Sequence, residues 1–167
     1  MRYFIAVLIL STAAAQAAEC PLRDLEDRLA ASVPARESEA IPVTEAQSSE
    51  GGEWRVYRDK KGKLTGLVRA DLGESGRAEM RLVFINAKNF AIRRTQFHYN
   101  GHFAMDFPVA VVREESDIFY FCSGKLYTLT EEQAMVGTDP AYVKAAAEAR
   151  DAIWKAPEIA KVLKEIR

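Results

Sequence analysis

The sequence predicts an α+β fold with an N-terminal helix, an antiparallel β-meander sheet of about six to eight short strands and a C-terminal helical pair packed on the sheet. Three observations predict it. Leucines recur at helical spacing after Cys20, aromatic and β-branched runs separated by turn signals fill residues 53–129, and apolar residues again follow helical spacing after Pro140. Short links between successive strands require antiparallel neighbours.

The N-terminus has the features of a cleavable export signal. Met1-Arg2 precede an apolar run that is too short to span a bilayer, and small residues stand at Ala15 and Ala17. We therefore expect residues 1–17 to be removed, leaving residues 18–167 as a single soluble exported domain. The expected location is the periplasm, with secretion to the medium as the alternative.

The charge balance argues against two classes of partner. Removing residues 1–17 takes away Arg2 and leaves 22 basic and 24 acidic residues, a formal net charge of −2. Because both signs are interspersed, the mature chain has no strong field for nucleic acid or for an anionic membrane. We expect no nucleic-acid partner and no stable membrane insertion after cleavage.

The two cysteines, Cys20 and Cys122, are predicted to form a disulfide bond, since an isolated pair in an oxidising compartment is usually bridged. The bridge would tie the mature N-terminus to a late strand. In the chain-entropy model a loop of about 100 residues gives roughly 4 to 5 kcal/mol of stabilisation.

The first predicted helix covers residues 20–32, where Pro21 suits the first turn and Leu22, Leu25 and Leu29 form an apolar stripe. Residues 33–52 lose this periodicity and contain Pro34, Pro42, Gly51 and Gly52. We expect an irregular connecting segment there.

The sheet region is predicted to contain a series of strands separated by turn signals. Asn100-Gly101 is the strongest hairpin signal of the chain and predicts that Tyr99 pairs with His102 and His98 with Phe103. The predicted strands cover residues 54–58, 64–71, 78–85, 90–99, 102–107, 109–113, 118–122 and 126–129.

Two helices are predicted at the C-terminus. Asp139-Pro140 supplies an N-cap and a first-turn proline, and Tyr142, Ala146, Ala149 and Ile153 share one helical face. Pro157 then interrupts the run and begins a second helix, whose apolar residues are Ile159, Val162, Leu163 and Ile166.

No metal site, cofactor or catalytic residue is predicted. The hairpin at Asn100-Gly101 would turn His98 and His102 to opposite faces, which excludes a shared metal ion. The segment 73–77 lacks the second glycine of a nucleophile elbow, because Arg77 stands in its place, and reads as a solvated turn. The acids Glu114, Glu115 and Asp117 are expected in a turn between two apolar strands.

Arg93, Arg94 and Tyr99 are the predicted partner-binding residues. On a strand the two arginines alternate faces, so one of them can lie exposed near aromatic side chains and bind a carboxylate or a partner loop. Six aromatic side chains could line a ligand groove, but packing in the core explains their presence equally well. They are Trp54, Tyr57, Phe97, Tyr99, Phe103 and Phe107.

These observations favour a small, non-catalytic exported binding module whose partner is another envelope protein that it inhibits or assists. The first alternative is a hydrolase of envelope polymers that uses acids of residues 114–117 or of the loop before Trp54. The second is a structural subunit of a homo-oligomer, with residues 109–112 at the interface. The sequence does not specify the oligomeric state.

Overall fold

A computed structural model describes residues 20–31, 39–44, 50–101, 109–129 and 134–166. The predicted export signal lies outside these residues. The described residues form three helices and eight strands, in the following order: α1 Leu22–Ala30, β1 Glu39–Pro42, β2 Gly52–Arg58, β3 Leu64–Gly73, β4 Gly76–Asn86, β5 Asn89–Tyr99, β6 Val111–Cys122, β7 Lys125–Leu129, β8 Ala134–Val136, α2 Pro140–Trp154 and α3 Ala160–Leu163.

The eight described strands form one antiparallel sheet in which each strand pairs with its neighbour in the chain, which confirms the predicted meander. Local side-chain chemistry closes its turns. The Asn86 Oδ1 atom accepts hydrogen bonds from the Lys88 and Asn89 amides in the β4–β5 turn. In the β6–β7 turn Ser123 and Gly124 both have positive φ, the conformation that two-residue hairpins favour.

One face of the sheet packs against α2 and α3 and carries the larger core. Trp54, Leu82, Ile92 and Phe119 are fully buried there, and the small side chains of α2 allow the helix to approach closely. Asp139 caps α2 by accepting a hydrogen bond from the Tyr142 amide at 2.8 Å. The C-terminal helices therefore pack on the sheet as the sequence predicts.

The other face packs against α1. Leu25 and Leu29 are buried against strands β4, β5 and β6, and the Cys20–Cys122 disulfide fastens the start of the helix to the end of β6. The Arg81 guanidinium donates hydrogen bonds to the carbonyls of Arg28, Leu29 and Ala31 at the end of α1. These are carbonyls that a helix end leaves unpaired, so Arg81 acts as a C-terminal cap.

Two predictions about the strands are wrong. Residues 33–52, predicted to be irregular, contain strand β1, which pairs with β2. The strands are also longer than predicted, since β4 and β5 have 11 residues each and β6 has 12. β1 is a short edge strand with a proline and one partner, and such a strand has little apolar patterning to reveal it.

The predicted hairpin at Asn100-Gly101 is also wrong. β5 pairs with β4 on one side and with β6 on the other, and Tyr99 lies opposite Val111 rather than His102. The Asn100 side chain instead accepts a hydrogen bond from the Ala110 amide at 2.8 Å, which closes a longer connection. The predicted strand at residues 102–107, including His102, Phe103 and Phe107, lies outside the described residues.

Candidate functional site

The first seven residues of β6, Val111–Asp117, are exposed, whereas its last four are buried. We call Val111–Asp117 the open segment. Val111 and Val112 are 45% and 64% exposed, although valine is usually a buried residue. The helices account for this contrast, because the core clusters that contain α1, α2 and α3 include β6 residues from Ile118 onward.

The outer edge of the open segment has no strand beside it among the described residues. β7 pairs with Tyr120, Phe121 and Cys122 only, and the two strands then diverge. The Tyr142 hydroxyl lies in this fork, 2.7 Å from the Ile118 carbonyl oxygen and 2.9 Å from that of Tyr127. Burial raises the pKa of Tyr142 to about 12, so the hydroxyl stays protonated and available as a donor.

Strand geometry shows which backbone groups face this edge. The Ile118 carbonyl points toward Tyr142 and β7, away from β5. A strand residue turns its N–H and C=O to one side and its neighbours turn theirs to the other. Because the register between β5 and β6 is regular from Cys122 back to Arg113, Glu114 and Ser116 also present their backbone groups outward.

The side chains of the open segment divide by face. On the α2 side of the sheet Arg113 forms an ion pair with Glu115, and Arg94 forms one with Asp117 at 2.7 Å. His98 lies on the same face, its Nε2 atom 3.7 Å from a Glu115 carboxylate oxygen. On the α1 side Glu114 lies opposite Phe97, and the Ser116 hydroxyl is 2.9 Å from that of Thr95.

The predicted partner-binding residues do not form one site. Arg94 lies on the α2 face, where Asp117 pairs with it. Arg93 lies on the other face, opposite Arg81 in β4. Burial, together with the charge of Arg93, lowers the pKa of Arg81. Tyr99 shares the face of Arg93 but stands at the far end of β5, where the Arg77 guanidinium hydrogen-bonds its side chain.

The prediction that Glu114, Glu115 and Asp117 form a turn is wrong, because all three belong to strand β6. Glu114 points to one face and the other two point to the opposite face, where arginines hold them. Hydrolysis by paired carboxylates requires two such groups around one enclosed ligand. This exposed strand does not supply that enclosure.

The remaining sequence candidates have structural explanations. Within residues 73–77 only Glu74 and Ser75 form the β3–β4 turn, and the others belong to the two strands. A side chain at Gly76 would collide with the Phe97 carbonyl oxygen, so the glycine permits close strand approach. Trp54 and Tyr57 are buried, and Phe97 lies under the Arg77 guanidinium at 4.2 Å. Within the described part of the chain no three metal-binding side chains come together.

Among the pockets of the described residues, two differ clearly in character. A polar pocket of about 320 Å³ is lined by Asp71, Gln96 and His98 beside the open segment. An apolar pocket of about 230 Å³ lies near the end of α1, lined by Tyr57, Gly66 and Val68. Neither of these two pockets is lined by a combination of side chains that identifies a particular reaction.

Sequence reasoning missed the open edge of β6. A signal was present, since residues 111–117 combine valines with four charged residues and lead directly into an apolar run. Charged residues on a strand are one way in which proteins keep an exposed edge from aggregating.

No protein-family model, curated protein or solved structure matches this chain. Of the helices in the described ranges, none combines the length and apolar character that crossing a bilayer requires.

Proposed function

We propose that this chain is an exported, non-catalytic interaction module that binds an extended segment of another envelope protein. The segment would be added as a strand to the open segment of β6. In this mode of recognition backbone hydrogen bonds provide affinity, and side chains on alternate positions provide specificity.

The observation that carries the proposal is the outward edge at Glu114 and Ser116, which no strand among the described residues covers and which lies next to two exposed valines. β5 supports this edge along its whole length, so an incoming strand would meet a template that is already ordered. Arg113 and Glu115 present both signs of charge on one face of that template. The predicted export signal and the disulfide support a location outside the cytoplasm.

Photo-crosslinking in cells that naturally make the protein tests this proposal. A photoreactive amino acid at Val112 should crosslink one polypeptide other than this chain, whereas the same amino acid at Lys144 on α2, whose side chain is 79% exposed, should not. Glu114→Pro removes one outward N–H and should abolish the Val112 product.

Glu114→Ala is the matched control, because it removes the same carboxylate but keeps the N–H. It should retain the crosslinked product. Binding by strand addition would be ruled out if Glu114→Pro, folded as judged by its circular dichroism, gave as much product as Glu114→Ala.

A further inference from the structure

We infer that the open segment also pairs with itself, so that two copies of this chain join their β6 strands antiparallel about a two-fold axis at Glu114. This inference rests on one part of the proposed function, that β6 accepts an additional strand, and not on the identity of the bound protein. It names a second copy of the chain as the occupant when no other strand is bound. The result would be one continuous sheet across two copies.

The ends of the open segment determine where the axis lies. Toward the C-terminal end, the Ile118 carbonyl is occupied by the Tyr142 hydroxyl. Toward the N-terminal end, Ala110 turns back to β5 through hydrogen bonds with Asn100. Seven residues lie between these limits, and Glu114 is the middle one. An axis at Glu114 therefore places the whole open segment of one copy against that of the other.

Symmetry restricts the alternatives. A two-fold axis normal to the sheet keeps each side chain on its own face. Because only residues that share a face lie opposite each other, the axis must lie midway between one residue and the same residue of the other copy. An axis at Arg113 places that residue against its own copy and brings no opposite charges together, which is destabilising. An axis at Glu115 opposes Arg113 and Asp117, but it also places Val112 against Ile118, whose carbonyl the Tyr142 hydroxyl already occupies.

The Glu114 register gives charge complementarity on the α2 face. Arg113 of each copy lies opposite Glu115 of the other, so the contact forms twice. Because Glu114 faces outward and would form the hydrogen-bonded pair, Arg113 and Glu115 occupy the adjacent non-hydrogen-bonded positions, where opposed side chains are closest. Val112 of one copy then lies beside Ser116 of the other.

The same register opposes two Glu114 carboxylates on the α1 face, which weakens the pairing. Glu114→Gln removes this repulsion and keeps the backbone N–H. We expect it to tighten the dimer about two- to five-fold. This gain is a signature of the inferred register, since an axis at another residue does not bring the two Glu114 side chains together.

Charge reversal followed by sedimentation equilibrium tests the inference. Arg113→Glu or Glu115→Arg alone should weaken association of the disulfide-bonded protein at least about ten-fold. The double variant Arg113→Glu/Glu115→Arg recreates both contacts with their signs exchanged and should restore association to within about three-fold of the original. Thermal unfolding of the single variants at low protein concentration controls for loss of fold.

A cysteine crosslink reports the register directly. Both native cysteines are bonded to each other, so Glu114→Cys introduces the one free thiol among the described residues. Opposed residues of a hydrogen-bonded antiparallel pair have Cα atoms about 5.5 Å apart, within disulfide range. Oxidation should link Glu114→Cys copies. Val112→Cys is the control, because its copies would lie about 14 Å apart and stay unlinked.

The outcomes separate this inference from the proposed function. A protein that remains monomeric at high concentration and gives no Glu114→Cys dimer overturns the inference, and the proposed function still holds if the Val112 photo-product forms. The inference is also overturned if two copies of the double charge variant associate as weakly as copies of the single variants. If the dimer forms but Val112 captures no other polypeptide, the inference stands and the proposed function fails.

Discussion

The Tyr142 side chain lies where β6 and β7 diverge. Its hydroxyl lies within hydrogen-bond distance of the Ile118 and Tyr127 carbonyl oxygens, and Tyr142→Phe removes that donor. We expect the free energy of unfolding to fall by about 1 to 3 kcal/mol, the usual cost of leaving buried polar groups unpaired. Urea unfolding at pH 7 measures it. Tyr99→Phe at the half-buried end of β5 is the control and should cost less than Tyr142→Phe.

The same hydroxyl makes the free energy of unfolding fall at alkaline pH. Burial raises the pKa of Tyr142 to about 12, whereas a tyrosine in the unfolded chain titrates near 10. The unfolded state therefore loses its proton first as the pH rises. The stabilisation from the protonated hydroxyl is fully present below about pH 10 and is lost between about pH 10 and pH 12.

Urea midpoints measured from about pH 9 to about pH 12 check this expectation. The midpoint of the original protein should hold up to about pH 10 and fall above it, and that of Tyr142→Phe should fall less. Tyr120 also contributes to the alkaline loss of stability in both proteins, because burial raises its pKa. Equal declines in the two proteins would contradict the role given to Tyr142.

At the scale of one element, β6 should show two kinds of backbone protection. The Arg113 and Glu115 amides face β5, whereas the Glu114 and Ser116 amides face outward. In dilute solution we expect amide hydrogen exchange at Glu114 and Ser116 to approach the rate of an unstructured peptide, with Arg113 and Glu115 clearly slower. Phe119 and its buried neighbours should exchange slowest.

Raising the protein concentration provides the control for this alternation. If two copies pair at Glu114, the Glu114 and Ser116 amides become hydrogen-bonded and should gain protection, while Phe119 stays unchanged. Equally fast exchange along all of residues 111–117 at low concentration would mean that β5 does not hold the open segment as a strand.

β6 also shows why part of the fold could not be predicted from the sequence. Apolar residues bounded by turn signals predicted β3 almost completely, and six consecutive residues of that strand, 66–71, are buried. The open segment is exposed on both faces, so Glu114, Glu115 and Asp117 look like a polar turn. Its strand structure comes from pairing with β5, and the sequence of β6 alone does not contain that information.

The false hairpin at Asn100-Gly101 has a related cause. Asn-Gly favours a tight turn locally, but β5 already has β4 as one neighbour, and its other side pairs with β6. That pairing extends over most of both strands. Tertiary pairing of this extent outweighs one local turn preference.

For the whole molecule, the decisive feature is that the helices cover one end of the long strands. The sequence predicts which helix residues are buried, as Leu25, Ala149 and Ile153 show. It does not predict how far along each strand a helix reaches, because that depends on strand length and register. The open segment, and with it the candidate site, follows from that geometry.

The Cys20–Cys122 disulfide closes a loop with a sequence separation of 102 residues, which includes most of the sheet. In the chain-entropy model such a loop stabilises the folded state by about 4 to 5 kcal/mol. We expect Cys20→Ala/Cys122→Ala to lose about that amount in urea unfolding. Helix α1 should separate first, since its remaining attachments are chiefly the packing of Leu25 and Leu29 and the Arg81 hydrogen bonds.

Amide exchange in α1 distinguishes local detachment from general destabilisation. In the double alanine variant the amides of α1 should lose protection before those of α2, which packs on the other face. Arg81→Met, which keeps the disulfide but removes the cap on α1, is the control and should cost about 2 to 3 kcal/mol. A loss below about 1 kcal/mol in the double alanine variant would show that the disulfide contributes little to holding α1 on the sheet.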